Sequence, residues 1–467
     1  MRRVFGHYVA IPTLVLGLVE AALIAGSCGA AYYYVSSGST YQSGTIAIGS
    51  LAFLMALVMV GLMHSGGLYE ASTLFNLKRT VWRLSLITVP MFVLAVWTTG
   101  HLARSGTIQI YPYRWQWTLA LTGVWLATAI MLRAAFVHFY RSGRLTNRVL
   151  VVGPPSLVRE LSDLELETRR RFVVVASRSV NQIDLTSEKL VQLFDASRSE
   201  LSALASEMRA SELVIAGDGD DGTPWTTLPD SRFAGIKVTN YLDFFERESG
   251  RICLEALRDD WFAIARGFGL KKSQERIGRI FDVAFSILAI VATAPVMLLT
   301  ALAIKLEDGG TVLYSQERTG LHGRTFVVLK FRSMREDAEQ DGTPAWAVER
   351  DHRITRVGRI IRKLRIDELP QFINVLRGDM AIIGPRPERP YFVAQFAESI
   401  PFYQYRHAVR PGITGWAQVK FRYGASLDDT KRKLSYDLYY VRNKSVVLDL
   451  IILLKTVGVV LRGEGAR

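Results

Sequence analysis

Two adjacent carboxylates mark the most chemically suggestive stretch of the chain, Ile366-Asp367-Glu368-Leu369-Pro370-Gln371. After a basic run, one carboxylate can ligate a hard cation such as Mg²⁺ while the other acts as base or nucleophile. In isolation such a pair is more often an exposed turn or helix start, so the surrounding motifs decide. Upstream, Leu329-Lys330-Phe331-Arg332-Ser333-Met334 ends an apolar run that reads as a strand. Downstream, Gly384-Pro385-Arg386-Pro387-Glu388 sets one arginine between two prolines, which restrict its backbone and can hold a guanidinium fork towards a phosphate. A third cluster, Val409-Arg410-Pro411-Gly412-Ile413-Thr414-Gly415-Trp416-Ala417-Gln418, offers an Arg and a Trp on a rigid turn. Between these, Ile354 to Leu364 carries apolar and basic residues at helical spacing, suited to an anionic membrane face or to solvent.

The elements that must position these residues begin with a membrane part. The 467 residues are 49% hydrophobic and only 21% charged, with a mean hydropathy of +0.17, which excludes a disordered or fibrous chain. Four stretches have the roughly 20 apolar residues that a spanning helix needs: Val9 to Val35, Thr45 to Met63, Val81 to Gly100 and Trp115 to Phe139. Glu20 interrupts the first and Arg133 the fourth; an intramembrane acid is either functional or a bundle-facing contact. Arg2, Arg3, Lys78, Arg79, Arg83, Arg141, Arg144 and Arg148 place the N-terminus and everything after Arg141 on the cytoplasmic side. No signal peptide is evident. Cys28 and Cys253 are too few for a disulfide framework or a cysteine-based metal site.

Residues 145–250 read as a small α/β domain. Strands are expected at Val149 to Gly153, Arg171 to Ala176, Leu213 to Ala216 and Ile236 to Thr239, with helices such as Ser156 to Glu167 and Ser199 to Ala210 between them. The first strand runs into Gly153-Pro154-Pro155 where a dinucleotide site would have G-x-G-x-x-G, so a Rossmann-like module without dinucleotide binding is expected. Residues 251–275 follow as a linker.

Val283 to Ile304 is a fifth apolar stretch, long enough to span. Arg276, Arg279 and Lys305 make both flanks basic, and Pro295 sits in the middle. A re-entrant helix over 277–306, bent at Ala294-Pro295, satisfies these observations; the alternative is a fifth span. From Lys271 onward, 32 Lys+Arg against 21 Asp+Glu give +11 of the total +14, which suggests an anionic partner. Nucleic acid is disfavoured, because the basic residues interleave with apolar ones and no known nucleic-acid motif appears. The tail from Ser445 to Leu461 reads as an interfacial or packed helix.

Arg276 to Arg462 resembles the bacterial sugar transferase family, the monotopic polyprenyl-phosphate hexose-1-phosphate transferases. The resemblance rests on Lys330-Phe331-Arg332-Ser333-Met334, Asp367-Glu368-Leu369-Pro370-Gln371, Gly384-Pro385-Arg386-Pro387-Glu388, Arg410-Pro411-Gly412-Ile413-Thr414-Gly415 and Tyr436-Asp437-Leu438-Tyr439-Tyr440, in that order. Ala294 and Asp351-His352-Arg353 depart from the family pattern. The resemblance implies an α/β membrane protein: a four-helix transmembrane domain over 1–144, the Rossmann-like domain, and a mainly α catalytic domain over 276–467. It implies transfer of a hexose 1-phosphate from a UDP-sugar, of glucose or galactose type, to undecaprenyl phosphate with release of UMP. That is the first membrane step of exopolysaccharide, capsule or O-antigen synthesis, at the cytoplasmic face of a bacterial inner membrane. Asp367 would be the nucleophile, Glu368 the Mg²⁺ ligand, and Lys330, Arg332, Arg386, Arg410 and Asp437 the groups holding phosphate or substrate. A homo-oligomer is allowed for. The rivals are a membrane-bound nucleotide-sugar dehydratase or epimerase, for which Tyr440 and Lys444 have a suitable spacing, and a non-catalytic assembly scaffold.

Overall fold

The structure, a computed structural model, describes residues 2–4, 7–9, 11–36, 45–104, 114–142, 146–168, 171–179, 207–215, 236–257, 272–335, 353–421 and 426–461. They form a mixed helical and α/β protein of two compact units, residues 8–249 in essence and residues 250–467.

The first unit begins with helices α1 (Ile11–Ser36), α2 (Thr45–Ser65), the short α3 (Ala71–Leu74), α4 (Leu77–Arg104) and α5 (Arg114–Arg141). Ile24, Ala56, Met59, Met63, Leu84, Trp125 and Ala129 from the four long helices share one core. Glu20 and Arg133 meet inside it: Arg133 Nε and Nη2 donate to the two carboxylate oxygens at 2.7 and 2.9 Å, and Nη1 donates to the Leu68 carbonyl. Tyr69 donates a further hydrogen bond to Glu20. The acid is therefore a fully partnered contact between helices, the plainer of the two readings.

Four parallel strands follow, β1 (Asn147–Gly153), β2 (Phe172–Ser179), β3 (Glu212–Ile215) and β4 (Lys237–Asn240), in the order β2-β1-β3-β4. Helix α6 (Pro155–Glu167) leaves β1, and α7 (Tyr241–Ser249) follows β4. Among the described residues the first strand thus lies between the second and third, in an all-parallel sheet. Pro154 and Pro155 occupy the N-cap and first helical positions of α6, which removes two backbone donors where a phosphate would bind. The helix expected over Ser199 to Ala210 lies almost wholly outside the described residues.

The second unit starts with Gly250 and residues 251–257, the first part of the 251–275 stretch expected as linker: Trp416 Nε1 donates to the Gly250 carbonyl at 2.7 Å, and the Ile252 amide to the Ser435 carbonyl. Helix α8 (Lys272–Asp308) then runs for 37 residues with Pro295 inside. An antiparallel hairpin follows, β5 (Leu313–Thr319) with β6 (Thr325–Phe331). Next come α9 (Arg356–Lys363), a 3-10 turn Ile366–Glu368 and α10 (Gln371–Arg377). Strands β7 (Ala381–Ile383) and β8 (Gly412–Thr414) pair in parallel, with α11 (Pro390–Ser399) and a 3-10 stretch Tyr403–Ala408 between them. Helices α12 (Trp416–Lys420), α13 (Leu427–Asn443) and α14 (Val446–Leu461) complete the unit. In α14, Leu448 and Ile452 are buried while Val446 and Leu450 are exposed, so the tail is a one-sided helix.

Among the described residues two helical stretches are long and apolar enough to cross a membrane, Thr122–Tyr140 and Glu275–Asp308. Pro12–Ser27 and Ala56–Ser65 are shorter apolar helices.

Candidate active site

Asp367 and Glu368 occupy a single turn. Thr355 caps α9 through the Gly358 amide, and a Cβ at Gly358 would collide with the Ser333 carbonyl, so α9 is seated against the end of the hairpin. After α9 the chain reverses through Arg365 in the left-handed region (φ 59°). Pro370 then cannot continue a hydrogen-bonded helix backwards. Ile366 and Leu369 pack against the cluster of Ile304, Phe331 and Ile361, on either side of the two acids in the chain.

The two carboxylates differ sharply in their surroundings. Glu368 Oε1 accepts a hydrogen bond from Arg386 Nη2 at 2.8 Å and lies 3.6 Å from Lys330 Nζ; Oε2 lies 3.6 Å from Arg365 Nη1. Burial opposes its charge, but Arg386, Lys330 and Arg365 outweigh it and hold the carboxyl well below the usual range. Asp367 has neither hydrogen bond nor ion pair among the described residues. Burial and the neighbouring Glu368 charge raise its carboxyl above the usual range, against Lys330, Arg362 and Arg386. Burial and Arg386 draw the Lys330 ammonium down, with Glu368 opposing. Three cations on one carboxylate leave surplus positive charge, a setting for an anionic ligand. The paired, ionised oxygen donors also fit a hard divalent cation that completes its shell from a ligand's phosphates.

Lys330 is placed by Asn374. Strand β6 pairs with β5 on one edge; on the other, Asn374 Oδ1 accepts from the Leu329 amide at 2.9 Å and Nδ2 donates to the Val327 carbonyl at 2.7 Å. One buried side chain thus stands in for a neighbouring strand and fixes α10, with the acids just before it, against the strand carrying Lys330. At the other end of α10, Arg279 of α8 donates to the carbonyls of Val375 and Leu376.

Arg386 is placed by its own backbone. Pro385 O accepts from Gly412 N at 2.9 Å, Arg386 O from Arg406 Nη2 at 2.9 Å, Pro387 O from Arg318 Nη1 at 3.3 Å, and Glu388 O from Thr319 N at 2.9 Å. Four successive carbonyls are held by β8, the Tyr403–Ala408 stretch and β5. The glycines of the two flanking motifs permit the close packing: a Cβ at Gly384 would enter the Arg410 carbonyl, and one at Gly415 the Gly384 carbonyl.

The structure therefore brings together Asp367, Glu368, Lys330 and Arg386. Arg332 forms an ion pair with Asp308 at the end of α8. Arg410 donates through Nε to the Gly378 carbonyl behind α10. Asp437 is buried and pairs with Arg406 at 2.8 Å. Each of these three has a partner outside the Asp367–Glu368 turn. Arg362, in the basic run suited to a membrane face or to solvent, and Arg365 just after it also act on the acids; Arg318 and Asn374 carried no signal in the sequence. Tyr440, of the dehydratase spacing, is buried with its hydroxyl against Ile383 O at 3.1 Å and Asp449 at 2.9 Å.

The model of the bacterial sugar transferase family matches residues 273–463. Over 191 residues, 41% of this chain and 45% of the relative, the sequence is 53% identical to a UDP-N-acetylgalactosamine-undecaprenyl-phosphate N-acetylgalactosaminephosphotransferase of Aeromonas hydrophila. It is 45% identical over 184 residues, 38% and 35% of the two chains, to an undecaprenyl-phosphate glucose phosphotransferase of Komagataeibacter xylinus. The match thus spans less than half of either relative. A third, the exopolysaccharide production protein PSS of Rhizobium leguminosarum, is 42% identical over 193 residues, which is 40% of this chain and 96% of that protein. With the clustered acids and cations lying inside the matched segment, the chain belongs to the bacterial sugar transferase family.

Proposed function

We propose that the protein transfers a sugar 1-phosphate from a UDP-sugar to undecaprenyl phosphate, through a covalent intermediate on Asp367. The observation that carries the reading is the asymmetry of the two acids: Glu368 is anchored by three cations, while Asp367 is unengaged at the mouth of the same positive site. An Asp367 oxygen attacks the sugar-bearing phosphorus, the bond from that phosphorus to the bridging oxygen breaks, and UMP leaves. An oxygen of the lipid phosphate then attacks the same phosphorus and releases the carboxylate. Lys330 and Arg386 offset the repulsion between a carboxylate and a diphosphate. Glu368 and the diphosphate would hold Mg²⁺, which supplies further charge neutralisation on the leaving UMP.

The site sits at a bilayer surface in this reading, facing the cytoplasm, with the N-terminal helices as additional crossings. The contacts of α8 support a bent, re-entrant course. Arg279 in its first half holds the end of α10 and Phe285 lies 6.3 Å from Phe372, while Met297, Ala301 and Ile304 in its second half pack beside Ile361, Ile366 and Leu369. A straight helix from Arg279 to Ile304 would extend about 37 Å, whereas Ile366 to Val375 covers only about 15 Å. Exposed apolar residues run along α8 from Ile277 to Leu306, with Leu288, Val291 and Leu298 among them near Pro295.

The relatives' names point to different sugars, so the test is UMP release from UDP-glucose, UDP-galactose and UDP-N-acetylgalactosamine with undecaprenyl phosphate and Mg²⁺. Asp367→Asn is expected to lose turnover by several orders of magnitude. Without lipid, labelled sugar phosphate should remain on the peptide containing Asp367. An adduct of equal yield in Asp367→Asn, or rate plots requiring both substrates bound together, would reject the covalent route.

A further inference from the structure

We infer that Arg406 is a buried positioning residue for Arg386, an assignment that rests on the transferase reading above. Arg406 lies in an aromatic stretch with no motif signal and is among the most enclosed charged groups of the unit, 6% exposed. Its guanidinium is used in three directions. Nε and Nη2 pair with Asp437 Oδ2 at 3.1 and 2.8 Å, Nη1 donates to the Tyr403 hydroxyl at 2.8 Å, and Nη2 also donates to the Arg386 carbonyl at 2.9 Å. The Tyr403 ring lies under it, 5.2 Å away. Of the four carbonyl anchors around Arg386, this one falls on Arg386 itself, and the Arg386 guanidinium on the other side of that residue holds Glu368. Asp437 on α13 thereby reaches the acid pair through two arginines and one peptide group. The planar fork makes the arrangement specific: a lysine ammonium can match the charge of Asp437 but not the three directions at once.

A double-mutant cycle on the full chain in detergent tests this, with UMP release read as kcat and KM for the UDP-sugar. Arg406→Lys and Arg386→Lys are each expected to lower kcat/KM by about 10²-fold, the scale of a misplaced binding group. The double variant is expected to be no worse than the poorer single variant, because Arg406 acts through Arg386. Losses that multiply would overturn the assignment. If Arg406→Lys does not fold, as judged by thermal unfolding, Tyr403→Phe enters the same cycle, since it removes one acceptor and leaves the ion pair; multiplying losses again overturn it. Wild-type protein that releases no UMP from any UDP-sugar would sink the transferase reading alone. Hydrogen exchange then decides for Arg406: the Gly412 and Thr319 amides, which donate to the Pro385 and Glu388 carbonyls of the same turn, should exchange at least tenfold faster in Arg406→Lys, and unchanged exchange overturns the assignment.

Discussion

Replacing Asn374 by alanine tests whether one side chain aligns the acids with Lys330. The substitution leaves the Leu329 amide without its acceptor and the Val327 carbonyl without its donor, both across the free edge of β6. Asn374 itself is fully buried, so the site is closed to bulk water. Stranding a buried polar group costs about 1–3 kcal/mol, and two such groups give ~2–6 kcal/mol against local opening of the strand. At the low end this speeds exchange of the Leu329 amide about 30-fold, at ~1.4 kcal/mol per tenfold. Native-state hydrogen exchange on the detergent-solubilised chain reads this directly. Asn374→Asp is the control: it keeps an acceptor for Leu329 but no donor for Val327, so the Leu329 amide should stay slow while turnover falls. Unchanged Leu329 exchange in Asn374→Ala would refute the strand-surrogate role.

Gly384→Ala should destabilise the second unit by about 1–3 kcal/mol or more, because the new methyl meets backbone rather than a yielding side chain; a melting temperature equal to wild type would count against the close-approach argument. Glu20→Gln should cost about 3–5 kcal/mol by leaving Arg133 buried without its counter-charge, and Arg133→Met in the same chain should restore much of it, both read by thermal unfolding. Burial raises the Asp449 carboxyl to about 6, with Lys444 opposing. A raised acid means that the folded state binds the proton more tightly, so this group's stability contribution is lost as pH climbs from about 4 to about 6. Asp449→Asn should therefore be more stable than wild type above pH 6, by at most ~3 kcal/mol, and no different near pH 4; a gain that does not vary with pH would contradict this.

Much of the candidate site is legible in the sequence because its parts are local. The acid pair, Lys330 and the proline-flanked Arg386 each announce themselves within a few residues, and the structure brings these four together. The same local reading also marked Arg332, Arg410 and Asp437, and it did not anticipate their partners Asp308, Gly378 and Arg406. Those partners are 24 to 32 residues away, and no periodicity encodes such a distance. Asn374 shows the converse: an amide inside a short helix has no pattern of its own, and only the neighbouring strand edge gives it a task. The four strands of the α/β part were visible as apolar runs, but strand order depends on crossovers that a run of valines does not specify. For the first unit, composition marked the apolar helices and could not tell that Glu20 and Arg133, 113 residues apart, form a bidentate pair.

The four pinned carbonyls of residues 385–388 bear on what the site can discriminate. A flexible arginine loop loses conformational freedom when it closes on a ligand, and each ordered residue costs about 1–2 kcal/mol. Here prolines and hydrogen bonds order the turn before any ligand arrives, so the guanidinium's attraction for an anion is not diminished by that cost. On the proposed function, a fork so fixed would read charge and spacing, features common to every nucleoside diphosphate sugar, and would be indifferent to the orientation of one sugar hydroxyl. Recognition of charge and recognition of sugar can then drift separately. The relatives fit such a division: proteins 45–53% identical across the matched segment carry names with different sugars.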